Sequence, residues 1–139
     1  MKKSIKKTDN ILYSTTTGAN KTDSTKEYTI DAKGQKMGRV ATQAAHILMG
    51  KNSVFFVKNR APDVAVTILN ASKVVISEKH LQNNTYARFS GYQGGLKFDT
   101  LEALIERHGY KEAVKRAIKG MIPSTKLRPG MLKRLIITD

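Results

Sequence analysis

The run Val64-Ala65-Val66-Thr67-Ile68-Leu69 determines which fold class this chain can adopt. Five of its six residues are apolar, and it lacks the polar alternation that marks a strand with one face in water. Val and Ile also favour the pleated backbone of a strand. We therefore expect a central strand of a parallel sheet, buried on both faces.

A helix is predicted on the N-terminal side of this strand, over about Met37 to Leu48. Gly50 follows at a position where helices commonly end. The small residues of its apolar face should let the helix approach a sheet closely. These apolar residues recur at the spacing of one helix face: Val40, Ala41, Ala44, Ala45 and Leu48.

Three other short apolar runs complete the predicted sheet. They lie at residues 28–30, 54–57 and 74–77. Residues 70–73 are too few for a crossover helix, so we expect a turn or a single helical turn there. Strands that alternate with helices indicate the α/β class, here with a small, mainly parallel four-stranded sheet.

The chain is strongly basic, and this charge bounds its partners. Its 139 residues include 25 Lys and Arg against 11 Asp and Glu, for a formal net charge of +14. Such a field attracts polyanions, among which nucleic acid is the default partner. The charge is densest in residues 111–134, where eight basic residues accompany a single acid.

Other compositional features exclude whole classes of protein. The chain has no cysteine for disulfides or thiolate metal sites, and its three isolated histidines cannot form a zinc site by themselves. No apolar run has the length of a signal-peptide core or a membrane helix. We expect a cytoplasmic protein with no metal, no cofactor and no membrane partner.

The chain divides into a tail and one domain. Residues 1–26 carry six lysines and two acids among many Ser, Thr and Asn residues, without a sustained helix or strand period. This composition predicts a flexible basic N-terminal extension, which either stays solvated or becomes ordered on a polyanion. Residues 27–139 are long enough for a single domain with a modest core.

A glycine-rich segment follows the predicted sheet strands, Phe89-Ser90-Gly91-Tyr92-Gln93-Gly94-Gly95-Leu96-Lys97. Glycine lets another backbone or a phosphate come close. Tyr92 could present its ring to a base or pack under the loop, and Lys97 supplies a charge that suits a phosphate. The segment predicts a loop for close approach to a nucleic acid.

Two helices are predicted after this loop, with a break at Gly109 between them. The first has Asp99 as its predicted N-cap residue. The second spans residues 111–119 and separates an apolar stripe from Lys111, Lys115 and Lys119. Like charges at this spacing repel each other, and a polyanion removes that cost. A solvated basic face is the alternative.

The basic C-terminal segment is predicted to be helical as well. Pro129-Gly130 interrupts it, so we expect a shorter helix or a kink.

Elsewhere, Lys36 and Arg39 flank the start of the first helix, where the helix dipole favours an anion. Lys58 and Arg60 keep the loop before the central strand basic, either as an RNA contact or as a solvated surface.

Seven short motifs occur in order between about residues 28 and 135. They are Ile30-Asp31-Ala32, Met37-Gly38-Arg39-Val40-Ala41-Thr42, Gly50-Lys51, Asn70-Ala71, Ser90-Gly91-Tyr92-Gln93-Gly94-Gly95-Leu96-Lys97, Lys119-Gly120-Met121-Ile122-Pro123 and Met131-Leu132-Lys133. Together these motifs resemble the bacterial large-subunit ribosomal protein thirteen family. Residues 58–63 depart from the family pattern, which usually has a histidine and acidic residues there.

The resemblance implies a three-layer αβα core and a structural role in the large ribosomal subunit, without catalysis. The implied partners are large-subunit (23S) rRNA and neighbouring large-subunit proteins, with no small-molecule substrate, and the implied process is early subunit assembly. With the charge pattern, it gives the following candidate RNA-binding residues: Lys36, Arg39, Lys51, Lys58, Arg60, Arg88, Tyr92, Gly94, Gly95, Lys97, Lys111, Lys115, Arg116, Lys119, Lys126, Arg128, Lys133 and Arg134.

Two other functional classes remain as alternatives. A basic DNA- or RNA-binding module outside the ribosome would share the charge, although no helix-turn-helix or zinc-finger spacing occurs. A phosphate-binding enzyme could use Gly94, Gly95 and Lys97 to cradle a nucleotide. The segment lacks the G-x-x-x-x-G-K-[ST] spacing of a P-loop, and no carboxylate pair is placed to hold a metal.

Overall fold

The computed structural model describes residues 7–8, 11–13, 26–54 and 56–139. Its helices are α1 (Met37–Leu48), α2 (Glu78–Asn83), α3 (Leu101–Met121) and α4 (Arg128–Lys133). Its strands are β1 (Lys7–Thr8), β2 (Ile11–Tyr13), β3 (Lys26–Asp31), β4 (Val64–Leu69), β5 (Thr85–Phe89), β6 (Leu96–Thr100) and β7 (Leu135–Ile137). A single 3-10 turn at Ala71–Lys73 follows β4, as expected for residues 70–73.

The main sheet has five strands in the order β1-β2-β3-β4-β7. Its centre is parallel, because β3 pairs with β4 and β4 pairs with β7 in the same direction. The strands β1 and β2 add an antiparallel edge. The α/β class and the mainly parallel sheet are therefore confirmed, and β4 is a central strand as predicted.

The burial of β4 differs from the prediction. Val64, Val66 and Ile68 form a buried face, whereas Thr67 on the other face is half-buried and Leu69 is exposed. The cause is that α1 covers only one face of the sheet. The uniformly apolar run therefore serves one covered face and one face that is partly open.

The helix α1 spans the predicted residues and packs against both the sheet and α3. Seven of its twelve residues are buried, more than a helix with a single covered stripe needs. Its small residues Ala41, Ala44 and Ala45 allow neighbours to approach on both sides. Residues of the sheet, α1 and α3 form one hydrophobic core within the described ranges.

Two of the predicted strands are wrong. In residues 54–57, Phe55 lies outside the described residues, Val54 sits in a turn with 96% of its surface exposed, and Phe56 and Val57 have no regular structure. The parallel edge of β3 is already occupied by β4, which leaves this run no central partner. In residues 74–77 there is only an isolated bridge between Val75 and Lys36.

Two strand pairings were not predicted, in addition to those of β1 and β2. The strand β7 takes the free edge of β4, where Val66 N donates to Arg134 O at 3.0 Å and Thr138 N donates to Ile68 O at 2.8 Å. The strands β5 and β6 form a separate antiparallel hairpin around the glycine-rich loop. Sequence reasoning assigned this segment only to the loop.

The helix α3 contains the predicted break. Gly109 has φ 76° and ψ 174°, so two helical segments meet there at a residue that tolerates positive φ. The N-cap residue is Thr100 rather than Asp99, because the Thr100 hydroxyl accepts a hydrogen bond from Ala103 N at 3.3 Å. Asp99 lies within β6, one residue before the end of that strand.

The short helix α4 agrees with the shorter C-terminal helix expected around Pro129.

Most of the predicted N-terminal extension, residues 1–26, lies outside the described residues. The exceptions are β1 and β2, which extend the sheet, and Lys26, which begins β3. The flexibility of residues 1–26 and the division of the chain at residue 27 both stay predictions.

The carboxyl ends of β3 and β4 are joined by a polar contact. The Asp31 carboxylate accepts hydrogen bonds from Lys33 N and from Asn70 Nδ2, each at 3.0 Å. Asn70 has φ 57°, a left-handed conformation that Asn tolerates better than most residues. The Lys33 backbone donor, followed by the Asn70 amide, holds the pKa of Asp31 below its usual value.

The first prediction concerns the core. Ile118 of α3 is fully buried, whereas the neighbouring Lys119 is exposed. Ile118→Ala should lower the free energy of unfolding by about 2–5 kcal/mol, because it removes buried methyl groups and leaves a cavity. Lys119→Ala is the matched control and should change it by no more than about 0.5 kcal/mol. Urea unfolding measures both, and equal losses would contradict the assignment of helix faces.

The second prediction concerns acid stability. A carboxyl group whose pKa is lower in the folded state adds stability above its unfolded pKa, which is lost as the pH falls through the folded pKa. Asp31→Asn cannot titrate, so its free energy of unfolding should fall less than that of the wild type as the pH drops below about 4. Asn70→Gly keeps the left-handed backbone but removes one donor, and it should give an intermediate pH dependence. Identical pH profiles for all three proteins would contradict this account of Asp31.

Candidate nucleic-acid interface

The candidate RNA-binding residues lie in several surface groups rather than in one pocket. One group surrounds a cavity of about 580 Å³ between the segment after α1 and the end of α3. Its walls combine cations with apolar side chains, which is the chemistry that suits a nucleotide with its phosphate and its base. Four candidate residues line it: Lys51, Lys58, Arg60 and Arg128. Its apolar wall contains Met49, Phe56, Met121 and Ile122.

Arg128 has a structural role at this cavity. Its guanidinium donates to Ile122 O at 2.9 Å and to Pro123 O at 3.1 Å, so it satisfies carbonyl groups at the C-terminal end of α3. Among the described residues, Lys51, Lys58 and Arg60 have no ion-pair partner. These three cations are therefore the ones at the cavity that are available to an external anion.

Arg134 is also engaged within the fold. Its guanidinium forms an ion pair with Asp63 at 2.8 Å and donates to the carbonyl oxygen of Pro62. Because Arg134 directly precedes β7, these contacts fix the C-terminal strand to the segment that leads into β4. The charge of Arg134 is partly neutralised by Asp63.

The second half of α3 shows the predicted separation of faces. Ala113, Val114 and Ile118 are buried, whereas Lys115 and Lys119 are exposed. Neither lysine has an ion-pair partner in the part of the chain that the structure describes. The apolar stripe that sequence periodicity predicted is thus confirmed, and it leaves these two ammonium groups in solvent.

The other two cations of this half of α3 have internal partners. The Lys111 ammonium lies 3.1 Å from the Asp139 carboxylate. Arg116 lies 3.4 Å from the Glu112 carboxylate and 5.2 Å above the centroid of the Tyr86 ring. Arg116 therefore joins α3 to the base of the hairpin by a cation–π contact.

The hairpin presents the glycine-rich loop at its tip. Tyr92 is 80% exposed, so its ring is not packed under the loop. Gly94 has φ 71°, and a Cβ at Gly95 would lie only 2.9 Å from the Tyr92 backbone carbonyl oxygen and 2.1 Å from the Ser90 hydroxyl oxygen. The loop's own conformation therefore requires glycine at both positions. A role for these glycines in close approach to RNA stays a prediction.

The charges of the hairpin are arranged unfavourably for the free protein. Arg88 on β5 lies directly opposite Lys97 on β6, and like charges in that relation repel each other. Asp99, the acid on these strands, is bound by Arg107 at 2.8 Å. This hydrogen bond is the largest cause that lowers the pKa of Asp99, so the carboxylate stays charged and neutralises Arg107. An anion beside Arg88 and Lys97 would relieve their repulsion.

The remaining candidates lie apart from the cavity. Lys36 and Arg39 are exposed at the start of α1, whereas Lys51 follows the C-terminal end of this helix, which is about 18 Å long. Lys126 and Lys133 are exposed in the C-terminal segment. The structure does not bring these four residues into the cavity lining.

One group of surface residues was missed in the sequence. Phe89, Leu96 and Phe98 are all exposed on the hairpin. Their signal was the alternation of apolar and polar residues on both sides of the loop, which is typical of a hairpin with one apolar face.

In the described ranges, no helix is long and apolar enough to cross a membrane, and no cluster of His, Cys, Asp and Glu could hold a metal ion.

Comparison with known proteins gives a consistent result. The model of the family described as ribosomal protein L13 matches residues 25–138. The large ribosomal subunit protein uL13 of Desulfitobacterium hafniense is 43% identical over 110 residues, which cover 79% of this chain and 76% of that protein. The protein of the same name from Moorella thermoacetica is 42% identical over 110 residues, with the same coverage. The one from Stenotrophomonas maltophilia is 35% identical over 122 residues, covering 88% of this chain and 85% of the relative. The motifs, the α/β fold and these matches agree that the chain belongs to the ribosomal protein L13 family.

Proposed function

We propose that this protein is a structural constituent of the large ribosomal subunit that binds large-subunit (23S) rRNA and supports early subunit assembly. The observation that carries the proposal is the second half of α3. It buries Ala113, Val114 and Ile118, while Lys115 and Lys119 face solvent without an acidic partner among the described residues. Family membership supports the ribosomal location.

The proposed mechanism is electrostatic. Lysine ammonium groups displace the cations condensed on the RNA backbone, and the release of those cations drives binding. The repulsion between Arg88 and Lys97, and between Lys115 and Lys119 one helical turn apart, is relieved at the same time. The protein recognises the shape of a folded RNA through its phosphates.

The candidate residues contribute unequally in this proposal. Arg128 and Arg134 mainly hold the C-terminal segment in place, because their guanidinium groups already have partners in the fold. Lys51, Lys58 and Arg60 form a second contact region at the cavity, whose apolar wall could receive a base. Tyr92 extends the contact at the tip of the hairpin.

The location of the contact regions favours one connected surface. Arg116 of α3 touches Tyr86 of the hairpin, and Gly120 and Met121 at the end of α3 line the cavity. The basic half of α3 therefore links the hairpin to the cavity. We further propose contacts with neighbouring large-subunit proteins, a cytoplasmic location and no enzymatic activity.

The third prediction concerns salt. Binding of the full chain to deproteinised 23S rRNA should weaken steeply with salt, because each phosphate contact contributes about 0.7–0.9 to the slope of log affinity against log salt concentration. Wild-type protein should give a slope of several units. Lys115→Ala with Lys119→Ala should lower it by about 1.4–1.8. Fluorescence anisotropy at a series of salt concentrations measures both, and a wild-type slope near zero would refute the electrostatic mechanism.

The fourth prediction places the binding face. Lys115→Glu with Lys119→Glu should reduce both rRNA affinity and incorporation into large subunits. The free energy of unfolding should change by no more than about 0.5 kcal/mol per substitution. Lys79→Glu in α2 is the matched control, since Lys79 is exposed and lies outside the candidate set.

Incorporation is measured by the amount of each variant in washed large subunits. A double variant that stays folded and enters subunits as well as the wild type would show that the basic face of α3 is not the binding surface. If Lys79→Glu lost as much affinity, the effect would belong to the net charge rather than to this face.

A further inference from the structure

The hairpin carries an apolar face that the described fold does not cover. In the antiparallel register, Phe89 lies opposite Leu96, and Ala87 lies opposite Phe98. Paired residues project to the same face of a sheet, so these four side chains form one patch. Phe89 and Phe98 are 66% and 65% exposed, and Leu96 and Ala87 are exposed as well.

This patch contrasts with the rest of the apolar residues. The described core consists of aliphatic side chains and contains no phenylalanine or tyrosine. All three described phenylalanines, at positions 56, 89 and 98, are exposed instead. A single exposed apolar residue is ordinary, whereas neighbouring rings on one face indicate an interaction site.

The orientation of the patch is fixed by the opposite face of the hairpin. There, Tyr86 packs under the Arg116 guanidinium and Asp99 is paired with Arg107, both on α3. Asn84 donates to the Tyr86 hydroxyl at 3.3 Å and accepts from Leu101 N at 2.9 Å. These contacts hold the inner face against α3, so the outer face with Phe89 and Phe98 points away from it.

The charge of the chain and a third exposed ring select the class of the occupant. Tyr92 adds that ring at the tip, and Arg88 and Lys97 project from the opposite face of the same two strands. The whole chain has a net charge of +14, which favours an anionic partner. A partner that combines negative charge with flat apolar surfaces is an RNA strand with unpaired bases. Exposed aromatic rings on a sheet stack such bases in known RNA-binding modules.

We propose that the outer face of the β5–β6 hairpin is a stacking surface for unpaired rRNA bases, with Phe89 and Phe98 as the stacking rings. The two positions are diagonal neighbours, at a spacing of about 7–8 Å, so each ring can take its own base. This inference rests on the proposed function and adds a contact to bases, whereas the basic face of α3 contacts phosphates.

The test distinguishes binding that needs an aromatic ring from binding that needs only an apolar side chain. Phe98→Leu and Phe89→Leu keep an apolar side chain but lose the aromatic face, whereas Phe98→Tyr and Phe89→Tyr retain it. Each Leu variant should lower the affinity of the full chain for deproteinised 23S rRNA by about 5- to 140-fold, the range for removal of one stacked base. Each Tyr variant should remain within about two-fold of the wild type. The salt slope should not change in any of them, because no phosphate contact is removed.

The outcomes distinguish this inference from the proposed function. If the wild type binds with a steep salt slope and both Leu variants bind equally well, the stacking surface is refuted and the electrostatic binding stands. If the wild type shows no salt-dependent binding, the proposed function itself fails. Both side chains are largely exposed, so the Leu variants should melt as the wild type does. A variant that binds weakly only because it unfolds would also refute the inference.

A fluorescent reporter tests the contact directly. The chain has no tryptophan, so Phe98→Trp introduces a single tryptophan, on the patch, that can be excited selectively over the five tyrosines. Its emission should be quenched when deproteinised 23S rRNA is added, because the indole stacks on a base. Ile136→Trp is the control, since Ile136 is exposed on the open face of the main sheet, away from the hairpin. Equal quenching at both positions would contradict a specific stacking surface.

Discussion

The close packing of α1 against both the sheet and α3 is the constraint on which the rest of this structure depends. A helix buried on two sides must present small residues to its neighbours, and Ala41, Ala44 and Ala45 do so. The second half of α3 buries Ala113, Val114 and Ile118 in this core and keeps Lys115 and Lys119 on an outward face. The basic surface of α3 therefore follows from the same packing that forms the core.

Within the described part of the chain, four of the seven arginines make contacts inside the fold, whereas most lysines form no ion pair. Arg107, Arg116, Arg128 and Arg134 all have internal partners, and the guanidinium fork suits them to bridge carboxylates and carbonyl groups. Lys111 is the one lysine there with an ion pair. These four arginines thus hold neighbouring segments together. Arg39, Arg60 and Arg88, like most of the described lysines, have no ion-pair partner in the described part of the chain. A surface of this kind is stable alone only because water screens the charges, and it gains when a polyanion replaces the solvent.

Local patterns could be predicted from the sequence, whereas the partners of strands could not. The period of α1 and the positive-φ break at Gly109 depend on neighbouring residues, and both were found as expected. The strand β7 has only three residues and exists because β4 offers it an edge, which no local pattern reports. Residues 54–57 have the composition of a strand but no free partner in the parallel centre, and Phe56 lines the cavity instead. The grouping of Lys51, Lys58 and Arg60 with Arg128 is likewise a product of tertiary structure.

The β5–β6 hairpin has an apolar face whose sequence pattern is typical of burial, although the fold leaves it exposed. Alternating apolar residues at Phe89, Leu96 and Phe98 have the pattern of a face that is buried, yet the inner face of the hairpin is held to α3 by Tyr86 and Asp99. Each exposed ring forgoes about 25 cal/mol per Å² of stabilisation that burial would give. No contact in the described fold buries these rings, so a partner that covers them would gain this stabilisation on binding. Positions at which a sequence departs from the rules of its own fold are commonly functional. Here the departure is a pair of exposed rings on a hairpin whose opposite face carries two cations that repel each other.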